Sequence, residues 1–362
     1  ALAISVAGPG SIFWMWVTAI IGIATKFFTC TLSVMYREKT KQGEIFGGPM
    51  YVIKNGLPKR MLPLAYFFAL AGMIGCLPAF QSNQLIQITG DLAFSEIENF
   101  NILGGLVLAG ITGIVVIGGL KRIAEVATFL VPLMGSIYFG AMIVALMLNL
   151  NLVLPAFKLV FVDAFNGTAI AGGTFFGVLI YGVRRGAFSN EAGMGTESLV
   201  HGVAKVSNPV KQGLVAMTGP IFDTLIICTA TALMILVSGV WETSSSQGVT
   251  LTAEAFSILL GNFGGLILFV SVICFGLSTI FTYSYYGASC SRFLFGKFGM
   301  KFYIYLYILS IFIYSIVPID IAINIADGAF AMMAIPTLIS ALWLAPKVMQ
   351  ASKIYFKLID NN

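Results

Sequence analysis

Long uninterrupted apolar runs are the feature of this chain that most restricts its fold. Two of them extend from Ile102 to Leu120 and from Gly264 to Phe275, without the alternation expected of membrane-barrel strands. Only 10% of the residues are charged, whereas soluble domains average about 25%. Because a backbone in lipid must satisfy its hydrogen bonds internally, the runs predict an all-α polytopic membrane protein.

Windows of about 20 apolar residues divide the chain into candidate membrane spans. The stub at Ala1 to Val6 has the composition of a helix end, so we expect the sequence to begin inside its first core helix, with most of that helix missing. Nine candidate spans follow the stub, at roughly 11–35, 61–88, 102–120, 123–149, 167–183, 213–240, 261–289, 302–319 and 321–346. Together with the stub they predict ten helices.

Basic residues alternate between the connections that join these spans. Every second connection, starting after the span 11–35, is rich in lysine and arginine, and these basic connections hold 18 of the 20 such residues. The intervening connections, predicted as loops at 89–101, 150–166 and 241–260 and near Asp320, hold only Lys158. Because lysine and arginine concentrate in cytoplasmic loops, the alternation predicts a multi-pass protein of the cell membrane with a cytoplasmic C-terminus.

Ten helices divide into two sets of five, and an odd number in each set inverts one set relative to the other. We therefore predict a first repeat at 1–150 (core helices 1–5), a second at 151–350 (core helices 6–10) and a cytoplasmic tail at 351–362. Inverted repeats are typical of secondary transporters, in which substrate binds at the repeat interface near the midplane.

The first helix of each repeat is expected to be short or interrupted, and the candidate 167–183 fits this expectation. It contains five glycines, which weaken a helix and free backbone groups to meet a ligand. We predict that Gly172 and Gly173 line a substrate site. Close packing of helices through small residues is the alternative.

Several other classes of protein are disfavoured by what the sequence lacks. Its only histidine is His201, its five cysteines have no metal-ligand spacing, and no P-loop is present. An enzyme, a cofactor and an ATP-driven pump are therefore not expected. A channel is disfavoured because no repeated filter sequence or charged pore ring is apparent. The net charge of +5 is explained by the basic connections, so no nucleic-acid partner is expected.

Specific motifs resemble those of the alanine or glycine:cation symporter family, the sodium:alanine symporters. They occur in the family's order from Gly8 to Pro336 and include Gly8-Pro9-Gly10-Ser11, Gly47-Gly48-Pro49-Met50-Tyr51, Arg185-Gly186-Ala187-Phe188-Ser189-Asn190-Glu191-Ala192-Gly193-Met194-Gly195, Pro209-Val210-Lys211-Gln212-Gly213, Asp223-Thr224, Ser278-Thr279 and Tyr285-Tyr286-Gly287. The resemblance implies a leucine-transporter-like five-plus-five helix bundle. It also implies import of alanine, glycine or a similar small neutral amino acid with sodium by alternating access.

The resemblance assigns sodium binding to Ser278 and Thr279 in the eighth core helix. Their hydroxyl groups are hard oxygen ligands of the kind that such cations prefer. The alternative is hydrogen bonding back to the preceding helical turn. Sodium is here a co-transported ion, and no resident cofactor is implied. A Gly-Thr-Gly-Asn stretch that completes the family's site is expected before Ala1.

Candidate substrate-binding residues come from three other helices. Gln81 and Asn83 resemble a Gln-x-Asn pattern of the family, and buried amides in lipid require partners. Phe176 follows the glycines of the interrupted helix, and Tyr283 stands where many family members have tryptophan. For Gln81 the alternative is an interhelical hydrogen bond, and the abundance of phenylalanine weakens the case for Phe176.

Charged and polar residues near the spans are candidates for coupling or gating. Asp223 and Asp327 are acidic residues inside spans, where ionisable groups are often functional. Arg185, Asn190 and Glu191 follow the interrupted helix and are candidates for a breakable inner gate. The alternative for the two aspartates is a structural role as partners of nearby donor groups. The alternative for Arg185, Asn190 and Glu191 is a solvated loop with surface ion pairs. A proton-coupled amino-acid transporter, with Asp223 or Asp327 carrying the proton, is the alternative function.

Overall fold

The structure, a computed structural model, describes residues 1–41, 43–94, 96–166 and 175–360. It is 86% helical. Within the described residues the only sheet is a two-stranded antiparallel hairpin that pairs Glu38 with Phe46 and Lys39 with Ile45. The structure therefore supports the predicted all-α class.

The helices follow one another along the chain with short connections. The part before residue 167 contains α1 (Leu2–Ala7), α2 (Ser11–Met35), β1 (Glu38–Lys39), β2 (Ile45–Phe46), α3 (Pro49–Gly56), α4 (Leu62–Gly75), α5 (Ala79–Ala93), α6 (Phe100–Val116), α7 (Gly119–Leu148) and α8 (Leu150–Asn166). The part after residue 174 contains α9 (Phe175–Asn190), α10 (Thr196–His201), α11 (Pro209–Pro220), α12 (Thr229–Ser238), α13 (Val240–Thr243), α14 (Gly248–Leu260), α15 (Asn262–Ile316) and α16 (Ile319–Asp360). A π-helical segment, Ile221–Cys228, joins α11 to α12.

Proline and glycine determine where several helices end. Pro78 separates α4 from α5, and Pro318 separates α15 from α16. The residue before a proline is disfavoured in the helical conformation, and Val317 is accordingly extended with ψ of 140°. Gly296 interrupts α15 with φ of 66° and ψ of −155°.

Six helical stretches of the described residues are long and apolar enough to cross a membrane, namely Ser11–Met35, Lys59–Asp91, Gly119–Leu148, Pro209–Ser238, Phe263–Ile316 and Ile319–Ile359. The predicted spans 261–289 and 302–319 both lie in Phe263–Ile316, which has 54 residues. A straight helix of that length would measure about 80 Å, against a hydrocarbon core of about 30 Å. The break at Gly296 therefore divides it into two segments of membrane-spanning length.

The remaining predicted spans differ in detail. The span 102–120 corresponds to α6, which is apolar but shorter than the six stretches. Only the part of 167–183 from Phe175 onward lies within the described residues, where it begins α9. The six stretches support a multi-pass membrane protein.

Two connections that the sequence predicted as loops are helical. Residues 150–166 form α8, and α14 occupies much of the connection 241–260. The buried residues of α8 are Ala156, Val160, Asp163 and Ala164, which is the spacing of one helical face. The loop prediction was wrong because it searched for runs of about 20 apolar residues, whereas α8 has 17 residues and α14 has 13.

Helix α2 is central and packs against α8, α9, α10, α11 and α16. Its contact with α9 is close because Gly182 has no side chain. A Cβ atom on Gly182 would lie 2.5 Å from the Ser11 carbonyl oxygen and 2.7 Å from Trp14 Cβ. Gly213 of α11 is in a similar position, since its Cβ would lie 2.9 Å from the Phe27 carbonyl oxygen. Two helices therefore reach the α2 backbone through glycine.

Polar contacts join three of the basic connections, those after the predicted spans 11–35, 167–183 and 261–289, in a region that we call the basic end. Arg37 donates to the Ala204 carbonyl at 2.8 Å, and Arg292 donates to Glu44 Oε2 at 2.7 Å. The Arg292 guanidinium also lies 3.8 Å from the centre of the Phe46 ring. It holds the pKa of Glu44 below its ordinary value by hydrogen bonding and charge attraction. The contacts of Arg292 with Glu44 and Phe46 hold the β1–β2 hairpin against α15.

A second set of contacts is made by the first half of α5, within the predicted span 61–88. Asn83 Nδ2 donates to the Val317 carbonyl at 2.7 Å, and the Val249 amide donates to Gln84 Oε1 at 3.3 Å. The first half of α5 thereby meets the start of α14 and the break before α16. Thr250 Oγ1 of α14 also donates to Asp91 Oδ2 near the end of α5 at 3.3 Å, so two of the connections without basic residues are in contact.

Candidate functional site

A buried ion pair joins α9 to α16. Arg185 Nη2 donates to Asp327 Oδ2, and Arg184 Nε lies 3.8 Å from the same oxygen. The Arg185 side chain is 8% exposed, whereas that of Arg184 is 56% exposed. The Arg185 guanidinium also lies 5.1 Å from the Phe188 ring centre and 5.6 Å from that of Tyr181. Arg185 is therefore the partner that neutralises Asp327.

Glu191 follows α9, and two hydroxyl groups hold its carboxylate. Tyr283 Oη donates to Oε1 at 2.5 Å, and Thr196 Oγ1 donates to Oε2 at 2.5 Å. Its φ of 55° lies in the left-handed region, which costs a non-glycine residue about 1–2 kcal/mol. Both oxygens are thus engaged, so Glu191 is fixed by the fold rather than free in a solvated loop.

The turn after Glu191 explains why its motif is rich in glycine. Gly193 and Gly195 have φ of 82° and 87°, conformations that side chains disfavour. A Cβ atom on Gly195 would lie 2.5 Å from Pro49 Cγ, so this turn packs against the start of α3. Asn190 Oδ1 accepts a hydrogen bond from the Ala192 amide at 2.9 Å. Asn190 therefore stabilises the turn that connects α9 to α10.

Aromatic rings connect the two acidic groups across four helices. The Phe330 ring lies 5.5 Å from Phe188 and 6.3 Å from Tyr283, and Phe188 lies 5.7 Å from Phe80. Next to Phe80, Gln81 is partly buried and makes no hydrogen bond to the residues that the structure describes. The start of α5 therefore belongs to the same region. We call the following set the polar cluster: Arg185, Glu191, Tyr283 and Asp327.

The two predicted sodium ligands lie on α15 one turn before Tyr283. Ser278 Oγ donates to the Phe275 carbonyl at 3.0 Å and lies 3.8 Å from Met134 Sδ of α7. Thr279 Oγ1 donates to the same carbonyl at 2.9 Å. Both hydroxyls thus make the back-bonds that were the alternative to sodium binding. Thr279 is four residues before Tyr283 and shares its helical face, which is the face of the polar cluster.

Other predicted substrate residues do not lie in the polar cluster. Asn83 makes the interhelical bond to α15 described above, near the connection to α14. Phe176 is 67% exposed and contacts the Phe175 ring at 5.5 Å. Gly172 and Gly173 lie outside the described residues.

Asp223 lies in the π-helical segment and is tied to α9. Its Oδ2 accepts from Ser189 Oγ at 2.6 Å and from Thr224 Oγ1 at 3.3 Å. The Ser189 hydroxyl also lies 3.2 Å from Cys228 Sγ at the end of the same segment. Segments of this kind occur frequently at functional sites. Asp223 therefore faces the last turn of α9.

Sequence reasoning missed a buried carboxylate, Glu197, and considered Lys26 only as a partner for Asp223. Lys26 is 9% exposed and Glu197 is 5% exposed. Thr29 Oγ1 donates to Glu197 Oε1 at 3.0 Å. Lys26 could have been found from the sequence, because a lysine inside an apolar span favours a functional role. Glu197 gave no such signal, because the connection in which it lies contains several other polar residues.

Replacing Tyr283 with phenylalanine is expected to destabilise the protein by about 1.5–3 kcal/mol. The change removes the hydroxyl donor to the Glu191 carboxylate, and hydrogen bonds to charged groups contribute about this much. The free energy of unfolding in detergent micelles measures the effect. Tyr286→Phe is the matched control, because the neighbouring Tyr286 hydroxyl makes no hydrogen bond to a described residue. Equal losses in the two variants would contradict the role given to the Glu191 contact.

The described residues combine long apolar helices with polar side chains held between them. The apolar stretches indicate multiple crossings of a membrane, and the polar cluster connects α9, α15 and α16, with Phe80 of α5 packed beside it. These features define a polytopic α-helical membrane protein with a buried polar region.

Comparison with known proteins gives the family. The profile of the sodium:alanine symporter family matches residues 1–362. The chain is 36% identical over 371 residues to the sodium/alanine symporter AgcS of Methanococcus maripaludis, covering 100% of this chain and 80% of the relative. It is 39% identical over 357 residues to YflA, an uncharacterized transporter of Bacillus subtilis, covering 96% and 74%. It is 34% identical over 358 residues to the probable sodium/glutamine symporter GlnT of Bacillus subtilis, covering 98% and 74%.

The chain belongs to the sodium:alanine symporter family. The resemblance carried by its motifs is thereby confirmed. It is a membrane transporter rather than an enzyme.

Proposed function

We propose that this protein imports alanine, or a similarly small neutral amino acid such as glycine, together with sodium. The observation that carries the proposal is the family match over residues 1–362. A relative named for sodium and alanine aligns with the whole chain. Another relative is named for sodium and glutamine, so the names of the relatives differ in the size of the amino-acid side chain. Family membership favours sodium over a proton as the driving ion.

We further propose that the chain forms two inverted repeats, 1–150 and 151–350, in a leucine-transporter-like bundle of the cell membrane. A contact between the two proposed repeats beside the polar cluster supports this proposal, because the Phe80 ring of the first lies 5.7 Å from the Phe188 ring of the second. Substrate sites of such transporters lie at the repeat interface. Gln81, whose amide has no partner among the described residues, is our first candidate for substrate contact. Gly172 and Gly173 of the second repeat are candidates for the opposite wall.

The proposed mechanism is alternating access, with the Arg185–Asp327 pair as a gate. Closing the gate joins α9 to α16, and opening it hydrates both charges. One sodium ion that crosses 100 mV yields about 2.3 kcal/mol, and a tenfold gradient adds about 1.4 kcal/mol. Together they would sustain roughly 500-fold accumulation of the amino acid. One sodium ion per cycle therefore supplies enough free energy for accumulation of that size.

Uptake of labelled alanine into proteoliposomes tests the function. An inward sodium gradient is compared with an equal potassium gradient, and unlabelled glycine and glutamine compete in parallel. Accumulation above equilibrium only with sodium supports the proposal. Equal uptake with both ions contradicts sodium coupling, and competition by glutamine but not glycine contradicts the proposed substrate size.

Replacing Thr279 with valine is expected to raise the KM for sodium about tenfold, equivalent to about 1.4 kcal/mol of binding. The isosteric change removes one hard oxygen ligand but only a local back-bond within α15. Sodium dependence of alanine uptake measures the effect. Thr282→Val is the matched control, because Thr282 Oγ1 also makes a back-bond, to the Ser278 carbonyl at 2.9 Å. An unchanged sodium KM in the Thr279 variant would remove Thr279 from the sodium site.

A further inference from the structure

Glu197 of α10 is a buried carboxylate with one free oxygen. Only 5% of the residue is exposed. Its Oε1 accepts a hydrogen bond from Thr29, but Oε2 is buried and has no hydrogen-bond partner among the described residues. A buried acceptor without a partner is unfavourable when it carries charge. Protonation of the carboxyl would remove that charge.

The Thr29 hydroxyl can serve Glu197 in both protonation states. It lies 3.0 Å from Glu197 Oε1 and 3.1 Å from the Thr25 carbonyl oxygen. When Glu197 is ionised, Thr29 donates its proton to the carboxylate. When Glu197 is protonated, it can donate to Thr29, which then donates back to Thr25. The geometry therefore accommodates a proton without moving a helix.

Few charged groups face this carboxyl. Lys26 on α2 attracts the ionised form, and Glu191 after α9 repels it. Two further titratable neighbours are neutral side chains, Cys30 on α2 and Tyr286 on α15. His201, one turn after Glu197 on α10, lies 2.6 Å from Gln212, and burial lowers its pKa to about 4, so it is neutral in the pH range considered. Lys26 forms no ion pair with a residue that the structure describes, and its Nζ lies beside Gly219 of α11. The carboxyl is thus near a cation without being paired to it.

The location of Glu197 connects it to the basic end. The next residue, Ser198, accepts a hydrogen bond at its carbonyl from Ser33 Oγ at 2.7 Å. Gly202, just after α10, lies against Gly47 in the connection that leads to α3. Helix α10 therefore covers the last third of α2. Separation of α10 from α2 would bring water to Glu197.

We propose that Glu197 is a proton-binding site near the basic end, and that opening of α10 away from α2 releases its proton. The bound ion is a proton that regulates access, while sodium remains the driving ion. The site is distinct from the polar cluster and from the predicted sodium ligands.

The direction of the pH effect follows from burial. Burial in the closed arrangement raises the pKa of Glu197 from its ordinary value of 4.5 to about 7, and Lys26 opposes this only in part. In the open arrangement, contact with water returns the pKa towards its ordinary value. The closed arrangement therefore holds the proton more tightly and is favoured at acidic pH. Opening becomes more favourable as pH rises between these two pKa values, and this gain levels off above about 7.

Infrared spectroscopy of the purified full chain tests the site independently of transport. We expect a carbonyl band of a protonated carboxylic acid to disappear with a midpoint near pH 7. This band should be missing in Glu197→Gln and retained in Glu96→Gln, which changes an exposed carboxylate between α5 and α6. In Lys26→Met the midpoint should move to higher pH, because loss of the nearby cation favours the neutral form. Retention of the band in Glu197→Gln would overturn the proposal.

Transport supplies the second readout and rests on the proposed function. Sodium-driven uptake, limited by inward release, should be about tenfold faster at a basic-end pH near 8 than near 6, the change that the two pKa values imply. Glu197→Gln should remain sodium-driven but lose this dependence, changing less than about twofold, whereas Glu96→Gln should keep it. The same pH dependence in Glu197→Gln would overturn the regulatory role. Absence of any sodium-driven uptake would instead contradict the proposed function and leave the infrared result standing.

Discussion

Replacing Arg185 with methionine is expected to lower the free energy of unfolding by about 3–5 kcal/mol and to abolish sodium-driven uptake. The side chain is buried and donates to Asp327, so its removal leaves an uncompensated charge between α9 and α16. Methionine keeps most of the apolar packing against Phe188, which restricts the change mainly to the charge. Unfolding in detergent micelles and alanine uptake in proteoliposomes measure the two effects.

Arg184→Met is the matched control for this prediction. Arg184 approaches the same Asp327 oxygen at 3.8 Å, but its side chain is largely exposed. Its loss should therefore change stability by only about 0–1 kcal/mol. The double variant Arg185→Met with Asp327→Asn should recover much of the lost stability because it removes the orphaned charge. Equal losses from Arg184 and Arg185, or no recovery in the double variant, would contradict the pairing.

Replacing Gly182 with alanine is expected to destabilise the packing of α9 on α2 by about 1–3 kcal/mol, the range observed for overpacked cores. The added Cβ would lie 2.5 Å from the backbone oxygen of Ser11, and backbone cannot rotate away as a flexible side chain can. The helices must separate, which displaces Arg185 relative to Asp327. We therefore expect a lower unfolding temperature and slower uptake.

Gly140→Ala is the control for the Gly182 prediction. Gly140 lies inside α7, and no described atom beyond the adjoining backbone of α7 comes within 4 Å of its Cβ position. Alanine in an open helical position removes the propensity penalty of glycine, so this variant should gain up to about 1 kcal/mol. A gain in both variants would show that α9 and α2 tolerate the extra methyl group and that the close approach is unimportant.

The helical spans were the most predictable part of the fold. Apolar runs located the six membrane-crossing stretches, and Pro78 and Pro318 mark two of the breaks. These features are local, because a helix in lipid satisfies its own backbone hydrogen bonds. Helices α8 and α14 were missed because, at 17 and 13 residues, they are shorter than the window of about 20 apolar residues that defines a span.

The candidate site was predicted residue by residue but not as an arrangement. Arg185 and Asp327 were proposed separately for gating, and their ion pair joins residues 142 positions apart. Tyr283 was proposed for substrate contact, yet its hydroxyl binds Glu191, 92 positions away. The substrate and sodium roles remain predictions, as do those of Gly172 and Gly173, which lie outside the described residues.

The sequence by itself determined the membrane class, most of the spans and, through its motifs, the family. Only the tertiary structure decided which polar groups meet: Arg185 with Asp327, Tyr283 with Glu191, and Thr29 with Glu197. The physical reason is the separation along the chain over which each effect acts. Hydropathy and helix breaking act within a few residues, whereas a hydrogen bond requires two atoms about 3 Å apart. That proximity is set by how distant helices pack, here through glycines that let α9 and α11 reach the backbone of α2.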